Sequence, residues 1–114
     1  MQREWTPLEG FVPCLSIKEP WTWLIIHGHK DIENRDWTTS YRGPLLIHAG
    51  KRMDENCFDP AGRLLTDYWR SRYGDELVAA MPQHQEAYET GGIVGIATVV
   101  NVVMYSESPW FFGR

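Results

Sequence analysis

The segment from Gly28 to Trp37 is polar and charged, and it lies between two apolar blocks. The first block runs from Leu15 to Trp21 and the second from Tyr41 to Ala49. Apolar blocks of this kind are buried in a folded domain, so the segment between them must lie at the edge of a core. Polar residues held between buried elements commonly carry binding or catalytic groups. We therefore expect the rest of the chain to form the frame for this segment.

The remaining pattern predicts an α+β domain. Pro20 opens a short helix that Gly28 ends, and Asp59 acts as the N-cap of a second helix that ends at Gly74. The segment Lys30–Trp37 alternates as a strand would, which places Glu33, Arg35 and Trp37 on one face. The other predicted strands are Phe11–Ile17, Pro44–Ala49 and Gly92–Tyr105. Together these elements predict a small mixed β-barrel with helices packed on it.

The same periodicities predict which side chains form the core. Strand alternation and helical spacing select eleven apolar positions. These are Leu15, Ile17, Leu24, Ile25, Leu46, Ile47, Leu65, Trp69, Val94, Ile96 and Val100.

Length and charge limit the classes of protein that this chain can belong to. With 114 residues, we expect one domain spanning residues 1–114. The net charge of −4 does not favour nucleic acid over the whole surface, but residues 28–52 carry five Lys/Arg against three Asp/Glu. No stretch is apolar enough to span a bilayer, and no signal peptide is evident, so a cytoplasmic protein is expected. Cys14 and Cys57 form no CxxC pair, which favours reduced thiols and leaves one disulfide open.

Several blocks of this sequence resemble the ASCH domain family, which is related to the PUA fold. The central match is Gly28-x-Lys30-x-x-Glu33-x-Arg35, and Pro20-Trp21 and Tyr41–Ala49 resemble its flanking blocks. Ser108–Gly113 resembles a further block near the end of the chain. The resemblance covers roughly residues 14–113. It implies a PUA-like β-barrel with a helix beside a cleft that the motif lines, and it implies a role in RNA binding or in the hydrolysis of RNA or of an acylated nucleoside.

Two features depart from the family pattern. Members that resemble the acylcytidine amidohydrolases have a threonine nucleophile three residues after the lysine, where this chain has Glu33. We therefore expect no threonine-nucleophile mechanism. Family members also continue with another strand after the Trp110–Gly113 block, whereas this sequence ends at Arg114. A barrel that lacks its last strand would leave an open sheet edge, so we expect that two copies can pair there.

The candidate site residues follow from the motif and its neighbours. Lys30, Glu33 and His48 are the candidate catalytic groups, because a cation, a carboxylate and an imidazole can serve general acid–base chemistry. A set of surface ion pairs, together with a hydrogen-bonded core histidine, is the structural alternative. The candidate substrate-binding residues, which supply cations for phosphates and aromatic rings for bases, are Trp21, Arg35, Trp37, Arg42 and Lys51. Lys18 and Arg52 would complete a basic patch. We expect no metal or other cofactor, because His27 and His29 alone do not make a ligand set.

Three functions remain open from the sequence. The first is a binding module that holds RNA or a nucleotide in the cleft. The second is a hydrolase, either a metal-independent ribonuclease or an amidohydrolase acting on an acylated cytidine. The third is a protein-interaction adaptor that uses the acidic second half, where residues 53–114 carry four Lys/Arg against nine Asp/Glu.

Overall fold

The computed structural model describes residues 3–35, 37–103 and 106–111, which form five strands and three helices. In chain order these are β1 (Arg3–Glu4), β2 (Cys14–Glu19), α1 (Trp21–Ile26), β3 (Trp37–Thr38), β4 (Gly43–Met53), α2 (Thr66–Tyr73), α3 (Asp75–Ala80) and β5 (Gly92–Val99), with 3₁₀ turns at Glu55–Cys57 and Gln85–Ala87. The α+β class is confirmed. The predicted positions Asp36, Tyr105, Phe112, Gly113 and Arg114 lie outside the described residues.

The main sheet has three strands in the order β2-β4-β5 and is mixed. β2 runs parallel to β4, and β4 pairs antiparallel with β5. A separate two-stranded parallel sheet joins β1 to β3. A mixed sheet of this kind agrees with a PUA-like fold, but within the described ranges it does not close into the expected barrel. β2 and β5 are its outer strands there, and the pairing of two copies along an edge stays a prediction.

Helix α1 lies between two apolar clusters, which explains why its sequence is apolar on nearly every side. One cluster forms where Ile25 and Ile26 pack on Ile17, Leu45 and Ile47 of the sheet. The other is larger and holds buried residues of α1, α2, α3 and the loops between them. Its buried members are Leu24, Cys57, Phe58, Leu64, Trp69, Val78, Met81, Tyr88 and Trp110. The short helix is therefore stabilised by burial from both sides rather than by its length.

The predicted strand Lys30–Trp37 is wrong over residues 30–35, which form an irregular loop. After α1 the chain turns back, and the backbone N–H groups of His29 and Lys30 both donate to the Leu24 carbonyl, at 2.9 and 3.0 Å. Gly28 permits this turn with φ of 78°, as its predicted cap role requires. Lys30 is buried and points inward from this loop.

The predicted start of the second helix at Asp59 is also wrong. The Asp59 carboxylate accepts the backbone N–H groups of Ala61 and Arg63, both at 2.9 Å, and closes a local turn instead. The helix begins at Thr66, seven residues later. Its predicted end at Gly74 is confirmed, and this glycine has φ of 95°.

The core prediction is correct for four of its members and wrong for three. Ile17, Leu24, Ile47 and Trp69 are buried. Leu65, Ile96 and Val100 are exposed, with exposed fractions of 37%, 65% and 80%. The other four predicted positions, Leu15, Ile25, Leu46 and Val94, are half-buried.

On the sheet the predicted alternation fails at Ile96, because the register of the β4–β5 pair shifts beside Val94, which packs on the core, and Ile96 then points outward. On β4 the inward face carries Leu45, Ile47 and Ala49, so Leu46 points to the other side. Its partner across the ladder is Ile96, which therefore points outward too.

No helix in the described part of the chain has both the length and the apolar character needed to cross a membrane.

Candidate functional site

Three side chains of the motif loop, Lys30, Glu33 and Arg35, form one connected ion-pair network, which we call the motif network. The Lys30 ammonium lies 3.1 Å from Oε1 of Glu33, and Nε of Arg35 lies 2.9 Å from Oε2 of the same carboxylate. Glu33 therefore bridges the two cations with both of its oxygens. The three side chains are in contact although they belong to a loop and not to one face of a strand.

Lys30 is the buried end of the motif network. It is 5% exposed, its ammonium also donates to the Ile32 carbonyl, and it lies 5.9 Å from the centre of the Trp21 ring. Burial lowers the pKa of the Lys30 ammonium from its ordinary value, while the negative charge of Glu33 opposes that change. From this buried position the ammonium holds the Glu33 carboxylate from the core side.

Arg35 is the exposed end of the motif network. Besides the Glu33 contact, its Nη2 donates to the Ser16 carbonyl of β2 at 3.2 Å. Two of the five guanidinium N–H donors are thus engaged within the described residues. The guanidinium is oriented from two sides and still presents donors to solvent.

The two tryptophans of the predicted site have different surroundings. Trp21 is half-buried, its Nε1 donates to Asp54 at 2.8 Å, and its ring centre lies 5.3 Å from that of Trp69. It is part of the wall beneath the motif network. Trp37 is half-buried in β3, where the ring of Trp5 meets it edge to face at 5.4 Å.

The outlying basic residues are not joined to the motif network by any contact among the described residues. Arg42 turns back on its own loop and donates to the carbonyls of Thr39 and Tyr41, at 2.9 and 2.8 Å. Lys51 is exposed on β4, as are Lys18 on β2 and Arg52 on β4. These residues are therefore not part of the motif network, and their positive charges add to the field of this part of the surface.

The structure brings His48 next to a residue that the sequence did not link to it. Ser16 and His48 are opposite each other in the parallel pair β2/β4, and Oγ of Ser16 lies 3.0 Å from Nδ1 of His48. Ser16 also receives the Arg35 hydrogen bond on its carbonyl. The pair is 32 residues apart in sequence. Only the register of two predicted strands, read together, could have revealed it.

The block around Ser108 holds the motif loop from the other side. Oγ of Ser108 donates to the Asp31 carboxylate at 2.5 Å, and Nδ2 of Asn34 donates to the Trp110 carbonyl at 2.9 Å. The ring of Trp110 stacks on Tyr73 of α2 at 4.1 Å. The two sequence blocks that resemble the family pattern are thus in direct contact, and the loop is fixed at Lys30, Asp31 and Asn34.

Glu19 is a buried carboxyl that sequence reasoning treated only as a favourable charge at a helix start. It is 2% exposed, and its Oε1 accepts the Trp23 backbone N–H at 2.8 Å. Burial raises the pKa of Glu19 to about 7, helped by the negative charge of Glu89 and opposed by the Trp23 hydrogen bond. Its position at the end of an apolar strand, directly before Pro20, was the available signal.

Neither the histidines nor the cysteines build a metal centre in the described ranges, where no group of three or more His, Cys, Asp or Glu side chains could hold an ion. His27 and His29 are exposed and stack on Trp23, with ring centres at 4.2 and 5.5 Å. Cys14 is exposed, Cys57 is buried, and both are free thiols.

Comparison with known proteins agrees with the motif. A family model described as the ASCH domain matches residues 15–110. The chain therefore belongs to the ASCH domain family, as its sequence blocks predicted, and this family is associated with RNA binding.

Two individual proteins share a shorter stretch with the chain, and both are named activating signal cointegrator 1. The Mus musculus protein is 50% identical over 40 residues, and the Homo sapiens protein is 47% identical over 36 residues. These stretches are 34% and 32% of this chain but only 7% and 6% of the relatives. The chain thus matches less than a tenth of the length of either curated relative.

Proposed function

We propose that this protein binds single-stranded RNA or a nucleotide at the motif network, with the Arg35 guanidinium contacting a phosphate. The observation that carries the proposal is the geometry of Arg35, which is exposed to solvent but fixed by Glu33 and by the Ser16 carbonyl. A guanidinium presents a planar fork of N–H donors that matches a phosphate. Its family membership, with the family's association with RNA binding, supports the choice of ligand.

Pre-organisation explains why the motif needs its buried lysine. An arginine on an open surface must give up rotamer freedom when it binds a ligand, which weakens binding. Here Lys30 orients Glu33, and Glu33 orients Arg35. The rotamer freedom of Arg35 is therefore already lost on folding. We therefore assign Lys30 and Glu33 positioning roles, since both oxygens of Glu33 are occupied by the two cations.

We propose Trp37 as the stacking surface for a base. It follows Arg35 by two residues and is half-buried beside Trp5, so a base could pack on it without first ordering the ring. The net charge of −4 implies that few phosphates are contacted. Binding should accordingly be modest in strength. Arg42 and Lys51 would add attraction only through the field of their charges.

The test is the affinity of a fluorescently labelled single-stranded RNA, measured by anisotropy, for wild type and Arg35→Ala. Arg63→Ala is the matched control, because Arg63 also pairs with a nearby carboxylate, Asp59, at 2.9 Å and is exposed. We expect Arg35→Ala to bind more weakly and Arg63→Ala to bind like wild type. Trp37→Ala should weaken binding by about 1–3 kcal/mol if a base stacks there. Equal affinities for wild type, Arg35→Ala and Trp37→Ala would refute the proposal.

A second candidate, a metal-independent ribonuclease, is favoured by one observation, the imidazole of His48 held by Ser16 close to Arg35. A histidine near a phosphate-binding arginine could take the proton of a ribose 2′-hydroxyl. Gel analysis of RNA incubated with wild type and His48→Gln separates the two functions. Cleavage that requires His48 supports the ribonuclease, and intact RNA in both samples leaves a binding protein.

A further inference from the structure

The Ser16–His48 pair lies on the sheet face that points away from α1. Ile17 and Ile47, the next residues along β2 and β4, are buried against α1, so the side chains of Ser16 and His48 project from the opposite face. Ser16 is exposed and His48 is half-buried. Gly50 follows on the same face, and a Cβ built there would lie 3.7 Å from the Ser16 hydroxyl. Because Gly50 has no side chain, this position places nothing over the hydroxyl.

The pair offers one donor and one acceptor to solvent in either protonation arrangement. If the Ser16 hydroxyl donates to Nδ1 of His48, then Oγ of Ser16 can accept and the Nε2–H group can donate. If Nδ1 instead carries the proton and donates to Ser16, the hydroxyl can donate outward and Nε2 can accept. A ribose 2′-hydroxyl is itself both donor and acceptor, and it is the group that distinguishes RNA from DNA.

Arg35 places this pair beside the proposed phosphate position. Its guanidinium donates to the carbonyl of Ser16, the same residue whose hydroxyl contacts His48. The phosphate contact and the hydroxyl–imidazole pair therefore meet at a single residue of β2. In a nucleic-acid strand each phosphate is directly bonded to a ribose, so a strand held at Arg35 has a sugar close to the pair.

We infer that Ser16 and His48 are the specificity-determining residues that select RNA over DNA by hydrogen-bonding a ribose 2′-hydroxyl. This inference rests on the proposed function, because it needs a strand held at Arg35. It goes further, because it assigns the sugar chemistry of the ligand to two residues outside the Gly28–Arg35 motif.

The test compares three labelled oligonucleotides of one base sequence: RNA, its 2′-deoxy form and its 2′-fluoro form. One hydrogen bond predicts that wild type prefers RNA to the deoxy form by about three- to tenfold. The 2′-fluoro form keeps an RNA-like sugar pucker but has no hydroxyl, so it should bind like the deoxy form. Ser16→Ala and His48→Phe should bring the RNA-to-DNA affinity ratio to about one. Ser16→Thr keeps the hydroxyl and should retain the preference.

The outcomes separate this inference from the proposed function. Binding of both RNA and DNA that depends on Arg35, with no preference between them, overturns the inference and leaves the function standing. A preference that survives in folded Ser16→Ala and His48→Phe also overturns it, as does 2′-fluoro RNA that binds as tightly as RNA. Binding that is indifferent to Arg35 overturns both.

Discussion

Glu19→Gln tests the buried carboxyl beneath α1 through the pH dependence of stability. In the folded protein, burial raises the pKa of Glu19 from its ordinary value of 4.5 to about 7. The folded state therefore keeps this proton over a range where the unfolded chain has released it. Burial of Glu19 does not lower the free energy of unfolding below pH 4.5, where the carboxyl is protonated in both states. The loss grows as the pH rises towards 7 and reaches its full value above pH 7. At about 1.4 kcal/mol for each pH unit, the full cost is about 3 kcal/mol.

The glutamine variant removes the ionisation but keeps the hydrogen bond, because its Oε1 can still accept from the Trp23 backbone N–H. The assay is urea unfolding of wild type and Glu19→Gln between pH 5 and pH 8. The difference between the two proteins isolates Glu19, since the other titrating groups are common to both. We expect the stability of Glu19→Gln relative to wild type to rise by about 2.5 kcal/mol between pH 5 and pH 8, because a small part of the cost is already present at pH 5. Glu76→Gln, at an exposed position of α3, controls for the chemical change. A constant difference between wild type and Glu19→Gln at every pH would refute the reasoning.

Three further predictions concern the fold. Leu45 is 8% exposed on the inner face of β4, so Leu45→Ala should lower the free energy of unfolding by about 2–5 kcal/mol. Leu46 is half-buried, and Leu46→Ala should lower it by clearly less. Equal losses in denaturation curves would contradict the assigned strand face. A thiol reagent at pH 8 should label exposed Cys14 quickly and Cys57 only after denaturation, because burial raises the pKa of Cys57 to about 12. Two rapidly labelled thiols in the folded protein would disprove this. Gly28→Ala should cost about 1–2 kcal/mol, measured by thermal or urea unfolding, because φ is 78° there, and an unchanged stability would argue against that backbone conformation.

The sequence predicted those parts of the fold that depend on neighbouring residues. Pro20 marked the start of α1, and Gly28 and Gly74 marked turns that need positive φ. The apolar run of β4 was predicted as a strand because it had to be buried. Which face is buried depends on what packs above the sheet, so Leu46 was chosen where Leu45 is the core residue. The polar residue His48, which shares a face with Leu46, was the available hint.

The sequence indicated which motif residues to consider together, but not how they are arranged. The family motif identified Lys30, Glu33 and Arg35, yet nothing local indicates that the lysine points into the core while the arginine points out. That difference arises from the turn after α1, which returns Lys30 to the Leu24 carbonyl. The Ser16–His48 contact depends on the register between two strands that are far apart in the chain, which periodicity alone cannot supply.

The salt dependence of RNA binding tests most directly whether Arg35, oriented by the motif network, contacts a nucleic-acid phosphate as we propose. Each phosphate neutralised on a single strand contributes about 0.7 to the slope of log affinity against log salt. We predict that Arg35→Ala lowers the magnitude of the wild-type slope by about 0.7. Arg63 carries the same charge as Arg35 and also pairs with a carboxylate, that of Asp59. Arg63→Ala should therefore keep the wild-type slope. Identical slopes for wild type and Arg35→Ala would contradict the claim.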